Sequence, residues 1–196
     1  MIPDDVDTLI FDCDGTLVDT MPVHFEVWTE VLNENGLALS EERFYELAGV
    51  STRAIVALLA KEQGVTVDAE AVSRAKDRRF LERDSQGAPI DVVIAIARRE
   101  QGRRRMAVAS GNVTDVVRRT LRGAGIESLF EAVVGADQVS RSKPAPDVFL
   151  RAAELLGRTS SGCLVYEDGD LGIEAARAAG MRWVDVRPLI AGTHRG

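Results

Sequence analysis

Thr8-Leu9-Ile10-Phe11 is a short apolar run that stops abruptly at Asp12-Cys13-Asp14-Gly15. Four later runs are built the same way. Met106-Ala107-Val108-Ala109 leads into Ser110-Gly111-Asn112, and Ala132-Val133-Val134 into Gly135-Ala136-Asp137. Cys163-Leu164-Val165-Tyr166 leads into Glu167-Asp168-Gly169, and Trp183-Val184-Asp185-Val186 into Arg187-Pro188. Short apolar runs without polar alternation read as strands buried on both faces. Helical patterns lie between them, around Val116 and Leu121, from Val148 to Leu156, and from Leu171 to Ala179. Alternation of buried strand and helix predicts a mostly parallel sheet covered on both sides. Ligands of such sheets bind beyond the carboxyl ends of the strands, where the polar clusters stand here.

The stretch from Met21 to about Gln86 breaks the alternation. It has no strand run. Val27, Val31 and Leu32 share one helical face, Ile55, Leu58 and Leu59 another that Gly64 closes, and Ala69 to Asp84 is a charged helical pattern. This predicts a helical insertion after the first strand, with hinges near Asp19-Thr20 and near Gln86-Gly87-Ala88-Pro89. A length of 196 residues suits one core with such an insertion.

Composition excludes several functions. A net charge of −7 is a poor match for nucleic acid or an anionic membrane. Arg98, Arg99, Arg103, Arg104 and Arg105 read as the cationic C-terminus of a helix stopped by Gly102, not as a nucleic-acid patch. No apolar run approaches the ~18 residues that a membrane helix needs. Met1 to Asp7 carries three acids and no long apolar stretch, unlike a secretory leader. Cys13 and Cys163 form no CxxC or zinc pattern, so a cytoplasmic location is expected.

The strand ends supply Asp12 and Asp14, then Ser110, Lys143, and Glu167 with Asp168. Gathered together, the carboxylates repel unless a cation compensates, and hard oxygen ligands suit Mg²⁺. Ser110-Gly111-Asn112 offers a hydroxyl and unhindered N–H groups for phosphate oxygens, and Lys143 a compact positive charge. The set describes metal-assisted phosphoryl transfer with a carboxylate nucleophile. Taken singly, each piece has a plainer reading. Asp14-Gly15 could be a turn, Ser110-Gly111-Asn112 a loop, Lys143 a solvated lysine and Glu167-Asp168 a helix cap. Their joint order defeats those readings.

Phe11-Asp12-Cys13-Asp14-Gly15-Thr16-Leu17-Val18-Asp19-Thr20 resembles motif I of the haloacid dehalogenase superfamily, and Ser110-Gly111-Asn112 resembles motif II. Lys143-Pro144-Ala145-Pro146-Asp147 resembles motif III, and Glu167-Asp168-Gly169-Asp170-Leu171-Gly172-Ile173 with Ala175-Ala176 and Ala179-Gly180-Met181 resembles motif IV. The likeness covers nearly the whole chain. It is nearest the β-phosphoglucomutase-like branch, and within it the small bacterial phosphatases of fructose 1-phosphate or 6-phosphogluconate.

The resemblance implies an α/β fold: a Rossmann-like parallel five-stranded sheet of order 5-4-1-2-3, with an inserted α-helical cap of the C1 type. The catalytic core would comprise residues 1–20 and 87–196, and the cap residues 21–86. It implies Asp12 as nucleophile, Asp14 as general acid/base, and Ser110 and Gly111 as phosphoryl holders. Lys143 would neutralise charge. Asp12, Asp168 and the Asp14 carbonyl would hold Mg²⁺, with Glu167 acting through water or as a further ligand. Asn112, His24, and the cap residues Ser51 and Lys76 would contact substrate; Arg53 is a looser match, because Thr52 holds an equally plausible place. The implied function is hydrolysis of a small sugar phosphate through an aspartyl-phosphate. A phosphomutase shares every motif and differs in discharging that intermediate to a second hydroxyl. Asp14 disfavours a dehalogenase, since a halide leaving group needs no acid. Intact motifs disfavour a catalytically idle sugar-phosphate-binding protein. Nothing demands more than a monomer.

Overall fold

The computed structural model describes residues 2–193. At its centre is β1 (Thr8–Phe11), every residue of which is buried. It pairs in parallel with β4 (Arg105–Ala109) on one side and β6 (Cys163–Glu167) on the other. β5 (Ala132–Val134) extends the sheet beyond β4, and β7 (Arg182–Asp185) beyond β6. The order is β5-β4-β1-β6-β7. These labels differ from the expected order because two short strands, β2 (Val18–Asp19) and β3 (Ala88–Pro89), stand apart in an antiparallel ladder of their own. Counted without them and read from the β7 edge, the five sheet strands run 5-4-1-2-3.

Alternation along β1 sends Leu9 and Phe11 to one face and Ile10 to the other. The first face packs on Val93, Ile94 and Ala97 of α5 (Asp91–Glu100) and on Val117 and Leu121 of α6 (Thr114–Gly123). α9 (Arg187–Thr193) packs beside α5. The second face packs on Val148, Phe149 and Ala152 of α7 (Asp147–Leu155) and on Ala175 and Ala176 of α8 (Asp170–Ala178). Both faces are apolar because both are covered.

Between β2 and β3 lie α1 (Met21–Glu34), α2 (Glu41–Glu46), α3 (Thr52–Gln63) and α4 (Ala69–Leu81). The hydroxyl of Ser40 accepts from the Arg43 N–H at the start of α2, and Asp68 accepts from Glu70 and Ala71 at the start of α4. Val27, Val31 and Leu32 meet Phe44, Ile55, Val56, Leu59, Val72 and Phe80 in a third apolar cluster. α4 stops at Leu81, three residues before the Asp84 that the charge pattern suggests. The expected hinges are the β2–β3 ladder itself, with Val18 opposite Pro89 and Asp19 opposite Ala88. The arginine run is also redistributed. Arg98 and Arg99 close α5, while Arg105 opens β4. Among the described residues no helix is long and apolar enough to cross a membrane.

Candidate active site

Asp12 is the first residue past β1, and its N–H is held by the Tyr166 carbonyl of β6 at 2.9 Å. Its carboxylate is 4% exposed. Lys143 Nζ donates to Asp12 Oδ1 and to Glu167 Oε1, at 2.6 Å each. The other Glu167 oxygen accepts the Gly169 N–H at 2.6 Å. Thr16 Oγ1 donates to Asp168 Oδ1 at 2.6 Å. Carboxylate oxygens of Asp12, Glu167 and Asp168 come within 4.8 Å of one another. Gly15 makes this approach feasible: a Cβ there would stand 2.3 Å from Asp168 Oδ2, and its φ is +86°.

Crowding sets the proton affinities. Burial, then the charges of Glu167, Asp168 and Asp14, push Asp12 well above the usual carboxylate range, although Lys143 opposes them. Burial and the Glu167 charge push Asp168 up to about 7. Burial lowers Lys143, but Asp12 and Glu167 outweigh it and hold its ammonium charged. A buried trio of acids with one lysine therefore has an excess of negative charge that a divalent cation would relieve.

Asp14, two residues on, has the opposite surroundings. Thr20 Oγ1 donates to its Oδ1 at 2.7 Å. Ser110 Oγ and Asn112 Nδ2 donate to its Oδ2 at 3.0 and 2.9 Å. His24 Nε2 lies 3.2 Å from Oδ1. Burial raises the carboxyl, but the hydrogen bond and charge of His24, then the hydrogen bonds of Thr20 and Asn112, outweigh it and hold Asp14 well below its usual range. Burial and the Lys76 charge lower His24 to about 4, so at neutral pH it is uncharged.

The helical segment forms the facing wall. Met21, Trp28, Phe44, Leu47 and Ile55 line the cleft with His24 and Lys76. Lys76 is 1% exposed; its Nζ donates to Asn112 Oδ1 at 3.2 Å and lies 5.5 Å from the ring centres of Trp28 and Phe80. His24 stacks on Phe80 at 3.9 Å. The Ala48-Gly49-Val50 loop seats on the strand-end loops. A Cβ on Gly111 would lie 2.4 Å from the Gly49 carbonyl oxygen, and one on Gly49 3.1 Å from Lys143 Cδ.

Asp12, Asp14, Ser110, Lys143, Glu167 and Asp168 thus converge, joined by Gly111, Asn112, His24 and Lys76. Three placements go beyond what the sequence specified. The Asp14 side chain turns from the acidic trio toward Ser110 and Asn112. Asn112 spends its side chain on Asp14 and Lys76, not on an open phosphate cradle. Ser51, at the N-terminus of α3, lines a neighbouring groove with Arg53, Glu70 and Ser73. Thr52 reaches the main cleft instead and donates to Asp77 at 3.4 Å. Arg53 is 74% exposed and pairs with Glu70. Sequence reasoning missed Thr16 and Thr20 as hydrogen-bond donors to Asp168 and Asp14. Their positions inside motif I were the available signal.

The model of the haloacid dehalogenase-like hydrolases matches residues 6–180. The fructose-1-phosphate phosphatase YqaB of Escherichia coli is 39% identical over 184 residues, covering 92% of this chain and 96% of that protein. Two solved structures share the fold. A β-phosphoglucomutase from Clostridium difficile superposes with a TM-score of 0.82 at 19% identity, covering 91% of this chain and 83% of that one. CbbY from Rhodobacter sphaeroides, in complex with phosphate, gives a TM-score of 0.81 at 23% identity, covering 91% and 84%.

Proposed function

This chain belongs to the haloacid dehalogenase-like hydrolases, and on that footing we propose that it hydrolyses a small sugar phosphate of the fructose 1-phosphate kind. The observation that carries the reading is the gathering of Asp12, on Lys143, and Asp14, on Ser110 and Asn112, at neighbouring strand ends. Asp12 has one oxygen held by Lys143, which leaves Oδ2 to attack phosphorus. The ester P–O bond breaks as the new bond forms. The departing sugar oxygen takes its proton from Asp14, which must enter this step in its protonated form and leaves it as the carboxylate. Asp14, then a carboxylate, takes a proton from water, which attacks the aspartyl-phosphate and releases inorganic phosphate and Asp12. The donors on Asp14 favour the carboxylate that this second step needs. Ser110 and the Gly111 N–H hold the phosphoryl oxygens, and Lys143 offsets their charge.

Asp12 and Asp168 fit a divalent cation, and Mg²⁺ is the hard-ligand choice. The Asp14 carbonyl is the third candidate ligand. Both Glu167 oxygens already accept donors, which suits a role through water. When bound, the cation offsets negative charge on the transferring group. Residues 21–86 act as a cap, because most of their apolar cluster comes from their own helices, with Val116 of α6 joining it, and their loop seats on the strand ends.

Hydrolysis is favoured over phosphomutase chemistry by the cleft's charge. Among its described lining residues Lys76 is the only lysine or arginine, while Arg53 points away. A mutase must grip a bisphosphate, whose second phosphate needs cations of its own. His24, neutral and beside Asp14, lies next to the leaving oxygen. The test is free phosphate released with Mg²⁺ from fructose 1-phosphate and 6-phosphogluconate, alongside glucose 6-phosphate formed from β-glucose 1-phosphate with and without its bisphosphate. Phosphate release that disappears in a folded Asp12→Asn variant is expected. Bisphosphate-dependent glucose 6-phosphate without phosphate release would install the mutase reading.

A further inference from the structure

Asn112 stands between two charges that the chain brings together from distant places. Lys76 is 36 residues away on α4, and Asp14 is 98 residues away beyond β1. The asparagine backbone is fixed by the core. Its N–H donates to Ser110 Oγ at 3.1 Å, and its carbonyl accepts from the Ala136 N–H at 2.8 Å. Only the side chain is left to reach across the cleft.

The orientation of that side chain is chemically forced. An ammonium is a donor only, so the oxygen of the carboxamide faces Lys76. A carboxylate is an acceptor only, so the NH₂ faces Asp14. The same NH₂ lies 3.2 Å from His24 Nε2. The amide dipole is therefore aligned from cation to anion. Serine offers a single atom for both partners, and aspartate would offer an oxygen to a carboxylate. Among the described residues no direct hydrogen bond links Lys76 to Asp14, so Asn112 bridges these two, alongside the direct contact of His24 with Asp14 at 3.2 Å.

We infer that Asn112 is a positioning residue that ties Asp14 to Lys76, so that the acid is set in its working orientation only while the helical wall is seated. The inference rests on the phosphatase reading and deepens it. It assigns Asn112 to the leaving-group step, not to phosphate binding, and makes Lys76 act partly through Asn112.

Leaving-group chemistry separates these roles. A sugar alkoxide needs a proton as it departs, whereas p-nitrophenolate does not. Wild type, Asn112→Ala, Asn112→Asp, Lys76→Met and the Asn112→Ala/Lys76→Met pair are compared on fructose 1-phosphate and p-nitrophenyl phosphate, each variant first checked for a cooperative melt. Asn112→Ala is expected to lower kcat on fructose 1-phosphate by roughly a hundredfold, within the usual range for general acid catalysis, and on p-nitrophenyl phosphate by less than about threefold. Asn112→Asp keeps an oxygen for Lys76 but loses the donor to Asp14, and is expected to lose at least as much. Adding Lys76→Met to Asn112→Ala is expected to cost less than about twofold more in kcat, because coupled residues are not additive. Equal losses on both substrates, a wild-type kcat in Asn112→Asp, or multiplicative losses in the double variant would each overturn the inference and leave the phosphatase reading standing. A wild-type chain that releases phosphate from neither substrate would overturn both.

Discussion

The two walls of the cleft are built by different forces. The sheet wall carries Asp12, Ser110 and Glu167 at the ends of β1, β4 and β6, whose registers are set by parallel backbone ladders. Those hydrogen bonds are directional, so the strand ends that carry the carboxylates and the hydroxyl are fixed in register. The helix wall presents Met21, Trp28, Phe44, Leu47 and Ile55, held by an apolar cluster. Apolar packing is non-directional, and it lets a wall be re-seated without breaking a ladder. In the proposed mechanism, chemistry would stand on the sheet side and the contacts that choose a substrate on the helix side.

The sharpest way to break that division is Gly111→Ala. The new methyl would collide with the Gly49 carbonyl, so the helix wall could not seat while every strand-end carboxylate stayed in place. Displacements near 1 Å cost about a hundredfold in rate. A loss of that order in kcat/KM on fructose 1-phosphate is expected, with an unchanged melting temperature. Wild-type kinetics would show that the loop need not seat on Gly111.

A second test addresses the sheet wall alone. Asp168 is held at about 7 by burial and then by Glu167, whereas in an unfolded chain an aspartate ionises near ~4. The native state thus binds the extra proton, and stability falls as pH rises through the native value. Asp12 acts in the same direction. His24, held low by burial and then by the Lys76 charge, opposes this only below its unfolded value of about 6.5. The metal-free protein is therefore expected to lose melting temperature between about pH 6.5 and 8, most clearly in EDTA. Mg²⁺ at a hundredfold excess over its Kd should return roughly 5–10 °C at pH 8. A flat profile, or no Mg²⁺ effect, would mean that the acidic trio does not hold the cation.

The smallest expected effect sharpens the helix wall. Ser51→Ala should change kcat/KM by less than about twofold, as surface changes away from a site do, because Ser51 faces the outer groove. A tenfold loss would place that groove in the substrate path.

The strand ends were legible because each is a local pattern, a short apolar run cut off by polar residues at a fixed offset. Asp12, Ser110 and Glu167 stand out in this way, whereas Lys143, nine residues past β5, and the role of each residue came from the resemblance of the motifs. The helix boundaries were less so. The charged pattern of α4 runs on past Leu81, since polar spacing alone does not say where packing ends. Ser51 and Thr52 are neighbours of similar chemistry, and which one faces the cleft depends on the rotation of α3, set by the burial of Ile55, Val56 and Leu59.

What the sequence determined by itself was the order of parts: buried strands alternating with helices, one helical insertion, and a set of acids, a hydroxyl and a lysine at the strand ends. These follow from periodicity and residue type, which are properties of neighbours along the chain. What only the tertiary structure decided was how two aspartates separated by a single residue come to hold protons so differently. Asp12 faces Glu167 and Asp168, Asp14 faces Thr20, Ser110 and Asn112, and those partners meet only when β1, β4 and β6 lie side by side. A carboxyl's proton affinity is fixed by the charges and donors around it in space, and sequence distance carries almost none of that information.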